Sequence, residues 1–460
     1  MKICIIGNGA VSYFTALKLS DIPSLEISIL GPKNYDGNAS LVAGAMHAST
    51  GEVESELVEG SLDKFIYEIS LQSRDLMREA LEEYSPSSIT ANGTVVFLNA
   101  EHNIFERRNF DFVVNAAQTY DTHEDVSTSD FFNNKRIRKK EKIIYLNREF
   151  SFDPRELLLN LEQILQAKGV NFISDVAKDV DVKNNTINTK SKGKLNFEKI
   201  IVANGSGDLN FNNLQSQLIP SFRGLGTALL CKSNDAVDKA IEPKVVYRSV
   251  NRGGSQCGFH FVPCVNDGYY IGAGNRLAFK NDRSIRFETV RYLLNEAEQD
   301  LLGSQATYAA SGNVLLGNRS RSFDFYPIFG PLRENKSIFI AKGFNRVALS
   351  LAPLLANEIY DFFTGACDKQ LGNKFLPQRD FISHGSPEYC ANEFALMTCA
   401  NLIEHSLLKQ SSAEYSEKLD ELFNVGMDYI KLIQQRYNLD SEYGPAPDAL
   451  SVLASDVSFC

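Results

Sequence analysis
The stretch that most restricts the fold is the first thirty residues. An apolar run, Lys2-Ile-Cys-Ile-Ile6, leads into Gly7-Asn-Gly9-Ala10-Val11-Ser12. An apolar-periodic segment follows to Leu19, and a second apolar run ends at Leu30. Strand, glycine turn, helix and second strand in that order are the start of a dinucleotide-binding βαβ unit. Gly7 permits a tight turn, and Gly9 lets the backbone approach a pyrophosphate. A helix beginning near Ala10 points its first N–H groups at that anion. Ser12 stands where a third glycine is usual and is small enough for helix and strand to pack. One part of the pattern is missing. The second strand normally ends in an acid that holds a ribose, whereas here it ends Leu30-Gly31-Pro32. Backbone groups, or a loop residue such as Asp36, are left to do that work.

The rest of the composition narrows the class. A chain of 460 residues is long enough for two or three domains. A net charge of −10 disfavours nucleic acid and anionic membranes as partners. No apolar run approaches the roughly 20 residues that span a bilayer, and the first apolar run is too short for a signal peptide. Eight cysteines without a C-x-x-C pair suit free thiols in a reducing cytoplasm. The six histidines show no metal-ligand spacing, so no metal is expected.

Taken in order, Asp36 to His47 is small and flexible, suited to a backbone lying against a flat ligand, and leads into a helical segment from about Val53 to Tyr84. Ile89 to Asn99 reads as a turn and strand. Residues 100–142 are polar, charged and irregular, expected in a second domain or covering it. Asp153 and Pro154 are an N-cap and a first helical residue, and Leu157, Leu158, Leu161, Ile164 and Leu165 recur at helical spacing. Lys199 to Val202 is a buried strand running into Ala203-Asn204-Gly205, a second place for backbone to meet a cofactor. Short strands from Pro220 to Gly272 imply one antiparallel sheet, and Arg286 to Leu302 a helix. Ser337 to Gly365 reads as a strand, a glycine turn and a helix. Residues 366–460 hold two or three amphipathic helices. One, from about Glu414 to Tyr437, carries Leu422, Phe423, Met427 and Ile430 on its apolar face.

These segments together resemble the D-amino-acid oxidase, glycine oxidase and sarcosine oxidase family of FAD flavoproteins, over about residues 1–365. The resemblance rests on Gly7 to Ser12, Ser40 to Met46, Asp153-Pro154, Val202 to Gly205 and Phe222-Arg223-Gly224. It continues through Phe261-Val-Pro263 with Ile271-Gly272-Ala273, Arg319 with Asp324-x-x-Pro327-x-x-Gly330, and Gly343 to Pro353. It implies an α/β fold, with a doubly wound FAD-binding domain (1–90, 143–222, 311–365) interleaved with an antiparallel-sheet substrate domain (91–142, 223–310). Nothing in the resemblance covers the helical extension, 366–460.

The resemblance also implies the site. FAD would lie against Gly7, Gly9, Ala10, Val11, Ser12, Ser40, Ala43, Gly44, Ala45, Met46, Val176, Ala203, Asn204, Gly205 and Arg319. The turn Gly343, Phe344, Asn345, Arg346, Val347 and Ala348 would close on it. Arg319 falls at the arginine that clamps a substrate carboxylate, Arg346 at an arginine that glycine oxidases carry, and His260 at a pocket tyrosine; Tyr326 is a fourth pocket residue. Gly317 replaces the cysteine that links flavin covalently in the sarcosine oxidase branch, so the FAD is expected to be noncovalent. The implied reaction is oxidation of a C–N bond of an amino acid or amine, free or held on a carrier or peptide, with oxygen as acceptor. Two alternatives remain: a flavin dehydrogenase acting on a hydroxy acid or amine with another acceptor, and a non-catalytic FAD-binding interaction protein. The chain has no tryptophan and so lacks the W-x-W-x-I-P signature of flavin halogenases. The extension is expected on the substrate side or at a homodimer contact.

Overall fold
The opening apolar run folds as the strand Lys2–Ile6, buried from Ile3 onward. The computed structural model describes residues 1–32, 38–100, 102–120, 136–212, 214–238, 244–251, 257–265, 268–278, 284–308, 310–365, 371–404, 407–409 and 413–455. Lys2–Ile6 lies between Glu26–Gly31 and Lys199–Val202, parallel to both. Asn171–Ser174 and Ile338–Lys342 extend the sheet on either side, and Ile328–Pro331 closes one edge antiparallel. The central strands are continuous runs of Ile, Val and Leu because both faces are covered. Ile3, Ile5, Ile27, Ile29 and Ile201 face the helices Ala10–Leu19, Leu62–Tyr84, Pro154–Ala167 and Ala348–Thr364. Cys4, Ile6, Leu30, Ile200 and Val202 face a small four-stranded sheet that includes Ala177–Asp181 and Thr186–Thr189. The period of two along each strand thus divides one sheet between two cores.

A second sheet has eight strands in the order Gly312–Ser322, Ser221–Lys232, Gly268–Ala278, His260–Pro263, Val246–Ser249, Ile89–Leu98, Lys142–Phe152 and Met46–His47. It is antiparallel except where Val246–Ser249 runs parallel to Ile89–Leu98. The pair was not legible, because the strands lie about 150 residues apart and neither carries a mark of its partner's direction.

Two local expectations are corrected. The helix expected from Val53 begins at Leu62, where Ser61 Oγ accepts the Lys64 N–H at 3.1 Å and caps it. The stretch 100–142 is not wholly irregular. It contains the helix Ile104–Tyr120, which buries Phe110, Val113, Ala116 and Ala117 against Val96, Leu98, Ile144 and Leu146.

Helix Ala348–Thr364 ends at Gly365 in the left-handed conformation. The helices Pro387–Glu404, Ala413–Tyr437 and Pro447–Ser455 then pack on one another and on Phe323, with Ile430 and Ile433 buried and Leu422, Phe423 and Met427 half-buried in the same cluster. The anchor is ionic. Asp324 is fully buried, with both carboxylate oxygens 2.8 Å from Arg379 Nη2 and a further bond from the Ile382 N–H. Removing one partner of a buried pair leaves the other charge uncompensated, at about 3–5 kcal/mol. Arg379→Ala is therefore expected to lose stability of that order in denaturant unfolding, and the double variant with Asp324→Asn to regain part of it. A single variant as stable as the parent would show that this pair does not hold the extension.

Candidate active site
Two cavities meet at the carboxyl ends of the parallel strands, the usual ligand crevice of such a sheet. Ala39, Ser40, Arg319, Asn345 and Ala348 belong to both walls. The first cavity is about 310 Å³ and is built around the Gly7 turn. Gly7 has φ +126°, and a Cβ there would lie 2.3 Å from the Ala203 carbonyl oxygen, so only glycine fits. Gly9 is the N-cap of helix Ala10–Leu19 and offers no side-chain cap, so the first helical N–H groups face the cavity. Ser40 Oγ accepts the Ala10 N–H at 3.2 Å, and a Cβ on Gly9 would stand 3.2 Å from that same oxygen.

The second strand ends at Gly31, followed by Pro32, and no acid among the described residues ends it. Asn8 Nδ2 instead donates to the Pro32 carbonyl at 3.0 Å and lies over Gly31. Asp175 lines the cavity, but its carboxylate is taken by the N–H groups of Val176, Ser191 and Lys192. Asp36 lies outside the described residues.

The second cavity is about 500 Å³. One wall is the segment Ala43–Met46 and the turn Asn345–Leu349, another is the large sheet, and the third belongs to the C-terminal extension, through His384 before its first helix and Tyr389, Glu393, Met397 and Asp448 on its helices. Its charges are mostly paired. Glu52 sits between Arg248 Nη1 at 2.7 Å and Arg346 Nη1 at 3.1 Å, with Asn251 Nδ2 donating at 3.1 Å. Burial alone would raise its carboxyl, but the two guanidinium groups hold it well below the usual carboxylate range. Arg346 also reaches Glu54 at 2.7 Å. Arg108 makes two bonds to Glu393, at 2.8 and 2.7 Å.

Arg319 differs. Its Nη2 donates to Asn275 Oδ1, its Nη1 lies 3.7 Å from Cys257 Sγ, and its Nε has no hydrogen-bond partner. No carboxylate among the described residues pairs with it.

His260 is buried, with Nδ1 3.1 Å from the Gly258 carbonyl and the ring stacked on Tyr270. The carbonyl fixes Nδ1 as the protonated nitrogen, leaving Nε2 as an acceptor. Burial, reinforced by the Arg248 charge, pushes its pKa down to about 3, so the ring is neutral at ordinary pH. Tyr326 donates its hydroxyl to Asp63 at 3.1 Å and stacks on His384.

The residues singled out in the sequence thus gather at one crevice. Gly7, Gly9, Ala10, Val11, Val176, Ala203, Asn204, Gly205, Gly343 and Phe344 line the first cavity. Ala43, Gly44, Ala45, Met46, His260, Tyr326, Arg346 and Val347 line the second. Ser12 is the exception. It is fully buried beneath the turn, its Oγ 3.5 Å from the Ala203 carbonyl oxygen, and it lines neither cavity. Its small size serves helix–strand packing rather than ligand contact. Sequence reasoning missed Glu52, Glu54, Arg108, Arg321 and Asp448. Arg321 could have been found, since it follows Arg319 by two on one strand and so shares its face. The others reach the cavity only through tertiary packing.

These residues fit an extended flavin dinucleotide. The glycine-lined turn and the helix N-terminus at Ala10 suit a pyrophosphate, and the small residues Ala43, Gly44, Val347 and Ala348 make the flat wall that an isoalloxazine ring needs. A Cβ on Gly317 would fall 1.9 Å from Val42 Cγ2, so the linking cysteine of covalent relatives has no room. His47 is fully buried against Phe150, outside both walls.

Comparison with solved structures places the fold. Glycine oxidase from Geobacillus kaustophilus superposes with a TM-score of 0.67 at 16% identity, over 82% of this chain and 98% of that one. Iminodiacetate oxidase from Chelativorans sp. BNC1 gives 0.64 at 14% identity, over 82% and 100%. L-proline dehydrogenase from P. horikoshii gives 0.63 at 16%, over 82% and 97%. No curated protein matches the chain by sequence. The family described as DAO, FAD dependent oxidoreductase, matches residues 2–361, and with that span and this site the chain belongs to the DAO family of FAD-dependent oxidoreductases.

Proposed function
We propose that the chain oxidises the C–N bond of a carboxylate-bearing amine or amino acid in the larger cavity. The observation that carries this reading is Arg319, a cavity guanidinium whose Nε has no hydrogen-bond partner and against which no carboxylate among the described residues lies. A planar guanidinium offers two parallel N–H bonds to a carboxylate. FAD held by these residues would supply the two-electron acceptor for a hydride from the carbon beside the amine; the resulting imine would be hydrolysed by water, and oxygen as final acceptor would give hydrogen peroxide.

The chain's own part is orientation. Gly7, Gly9 and the Ala10 helix end would hold the pyrophosphate, and Ala43–Met46 with Gly343–Ala348 the ring. Arg319 fixes the carboxylate, and so aims the carbon beside the nitrogen. Neutral His260, through Nε2, accepts a hydrogen bond from the amine rather than storing its proton. Arg346 serves the wall, since Glu52 and Glu54 already neutralise it, and Tyr326 is committed to Asp63.

Purified protein given a panel of amino acids and N-methyl amines should consume oxygen and release peroxide. Turnover of hydroxy acids alone would overturn the reading.

Two further results are expected. Acid precipitation should release the flavin into the supernatant, because Gly317 and buried His47 offer no link to it; colour that stays in the pellet would contradict a noncovalent site. A histidine whose pKa falls to about 3 is uncharged throughout the neutral range. The pH profiles of kcat/KM for the parent and for His260→Asn should therefore share their limbs between pH 5 and 9. A limb near pH 6.5 that disappears in the variant would show a titrating His260.

A further inference from the structure
We infer that Asp448 selects the substrate, and that the preferred substrates are carboxylate-bearing amines with a second, basic nitrogen, held between Arg319 and Asp448. This deepens the function proposed above and rests on it. Asp448 opens the helix Pro447–Ser455, beyond the residues that the family covers, and lines the larger cavity. It is 8% exposed, its Oδ1 has no hydrogen-bond partner, and its Oδ2 stands 3.9 Å from Arg321 Nη1, too far for a hydrogen bond. Arg321 is tied elsewhere. Its Nε donates to Asn345 Oδ1 at 2.7 Å, and its guanidinium lies 4.7 Å from the Phe325 ring centroid.

The other carboxylates of this wall are occupied: Glu52 and Glu54 by Arg346, Glu393 by Arg108, and Asp63 by Tyr326 and Ser55. Asp448 keeps unused acceptor capacity at a buried position, which an N–H-bearing cation would satisfy. Burial, only partly offset by Arg321, pushes its pKa up to about 7, the mark of a carboxylate short of donors.

Spacing gives the substrate class. Arg319 and Arg321 are two residues apart on one strand, so their side chains leave the same face about 7 Å apart. Asp448 stands beside the second of them. A carboxylate on Arg319 therefore leaves Asp448 a few bonds farther along, the relation between the carboxylate and the terminal nitrogen of a basic amino acid. A neutral side chain leaves Asp448 unpaired, and an acidic one sets like charge beside it.

The test is calorimetric titration of the FAD-loaded protein with 4-guanidinobutanoate and with pentanoate, which share the carboxylate and differ in the basic end. The parent should bind the guanidino acid at least tenfold more tightly. Asp448→Asn should abolish that preference by weakening the guanidino acid, without weakening pentanoate or lowering FAD content, and Asp448→Glu should recover part of it. In turnover, the parent should reduce its flavin faster with basic amino acids than with norleucine, and Asp448→Asn should not. A parent without the preference, or a preference that survives Asp448→Asn, overturns the role of Asp448. Pentanoate affinity unchanged in Arg319→Ala would instead overturn the carboxylate site on which the inference rests.

Discussion

Arg319→Ala is expected to lower kcat/KM for a carboxylate-bearing amine by about 30- to 1,000-fold while FAD stays bound. The range corresponds to roughly 2–4 kcal/mol for a charged, two-bond contact. The structure makes the loss specific to substrate. Arg319 bonds to Asn275 and approaches Cys257, but pairs with no carboxylate among the described residues, so its removal strands no buried anion of the protein. Arg346→Ala should behave differently. It removes one of two guanidinium groups holding Glu52 and the one on Glu54, so stability should fall with activity. Arg319→Lys should recover little, because an ammonium cannot present the planar fork. Full activity in the alanine variant would mean that the substrate has no carboxylate, or that it binds elsewhere.

The second large effect is expected from ending the chain after Gly365. The first cavity is built wholly from residues before that point, so the shortened protein should keep FAD. The larger cavity would lose the wall formed by His384, Tyr389, Glu393, Met397 and Asp448. Phe323, now 1% exposed, would be bared, at about 1.5–3 kcal/mol for a side chain of that type, and Asp324 would lose Arg379. Turnover should fall at least a hundredfold and solubility should drop. Both are read by flavin absorbance per chain, flavin reduction and size-exclusion chromatography. Unchanged kinetics and solubility would remove the extension from the site, and loss of FAD would show that the core depends on it.

How much of this could be read beforehand depended on sequence distance. The Gly7 turn, the Asp153–Pro154 helix start and the glycine stop at Gly365 are local devices. Each folded where its residues indicated, Asp153 accepting the Arg155 N–H at 2.9 Å. The carboxyl ends of parallel strands also collect ligand residues from far-apart segments in a predictable place, so Ser40, Ala203 and Gly343 meet at one crevice. Charge pairing was not legible. Glu52, Arg248 and Arg346 come from three segments nearly 300 residues apart, and each alone looks like an ordinary surface residue. The same holds for Asp324 and Arg379. The aspartate reads as part of a family motif, yet its carboxylate here anchors an extension that the motif does not include. The helix Ile104–Tyr120 was hidden by its polar face, although Phe110, Val113 and Ala117 recur at spacings of three and four.

The central claim is that a carboxylate-bearing amine gives up its hydride in the larger cavity, with Arg319 holding the carboxylate. Its most direct test is anaerobic mixing of the FAD-loaded protein with a basic amino acid, with the corresponding carboxyl-free amine and with the corresponding hydroxy acid. The yellow flavin band should bleach with the amino acid, and much more slowly, or only at far higher concentration, with the carboxyl-free amine. In Arg319→Ala that difference should vanish. Bleaching by the hydroxy acid alone, or equal bleaching with and without the carboxylate in the parent protein, would contradict it.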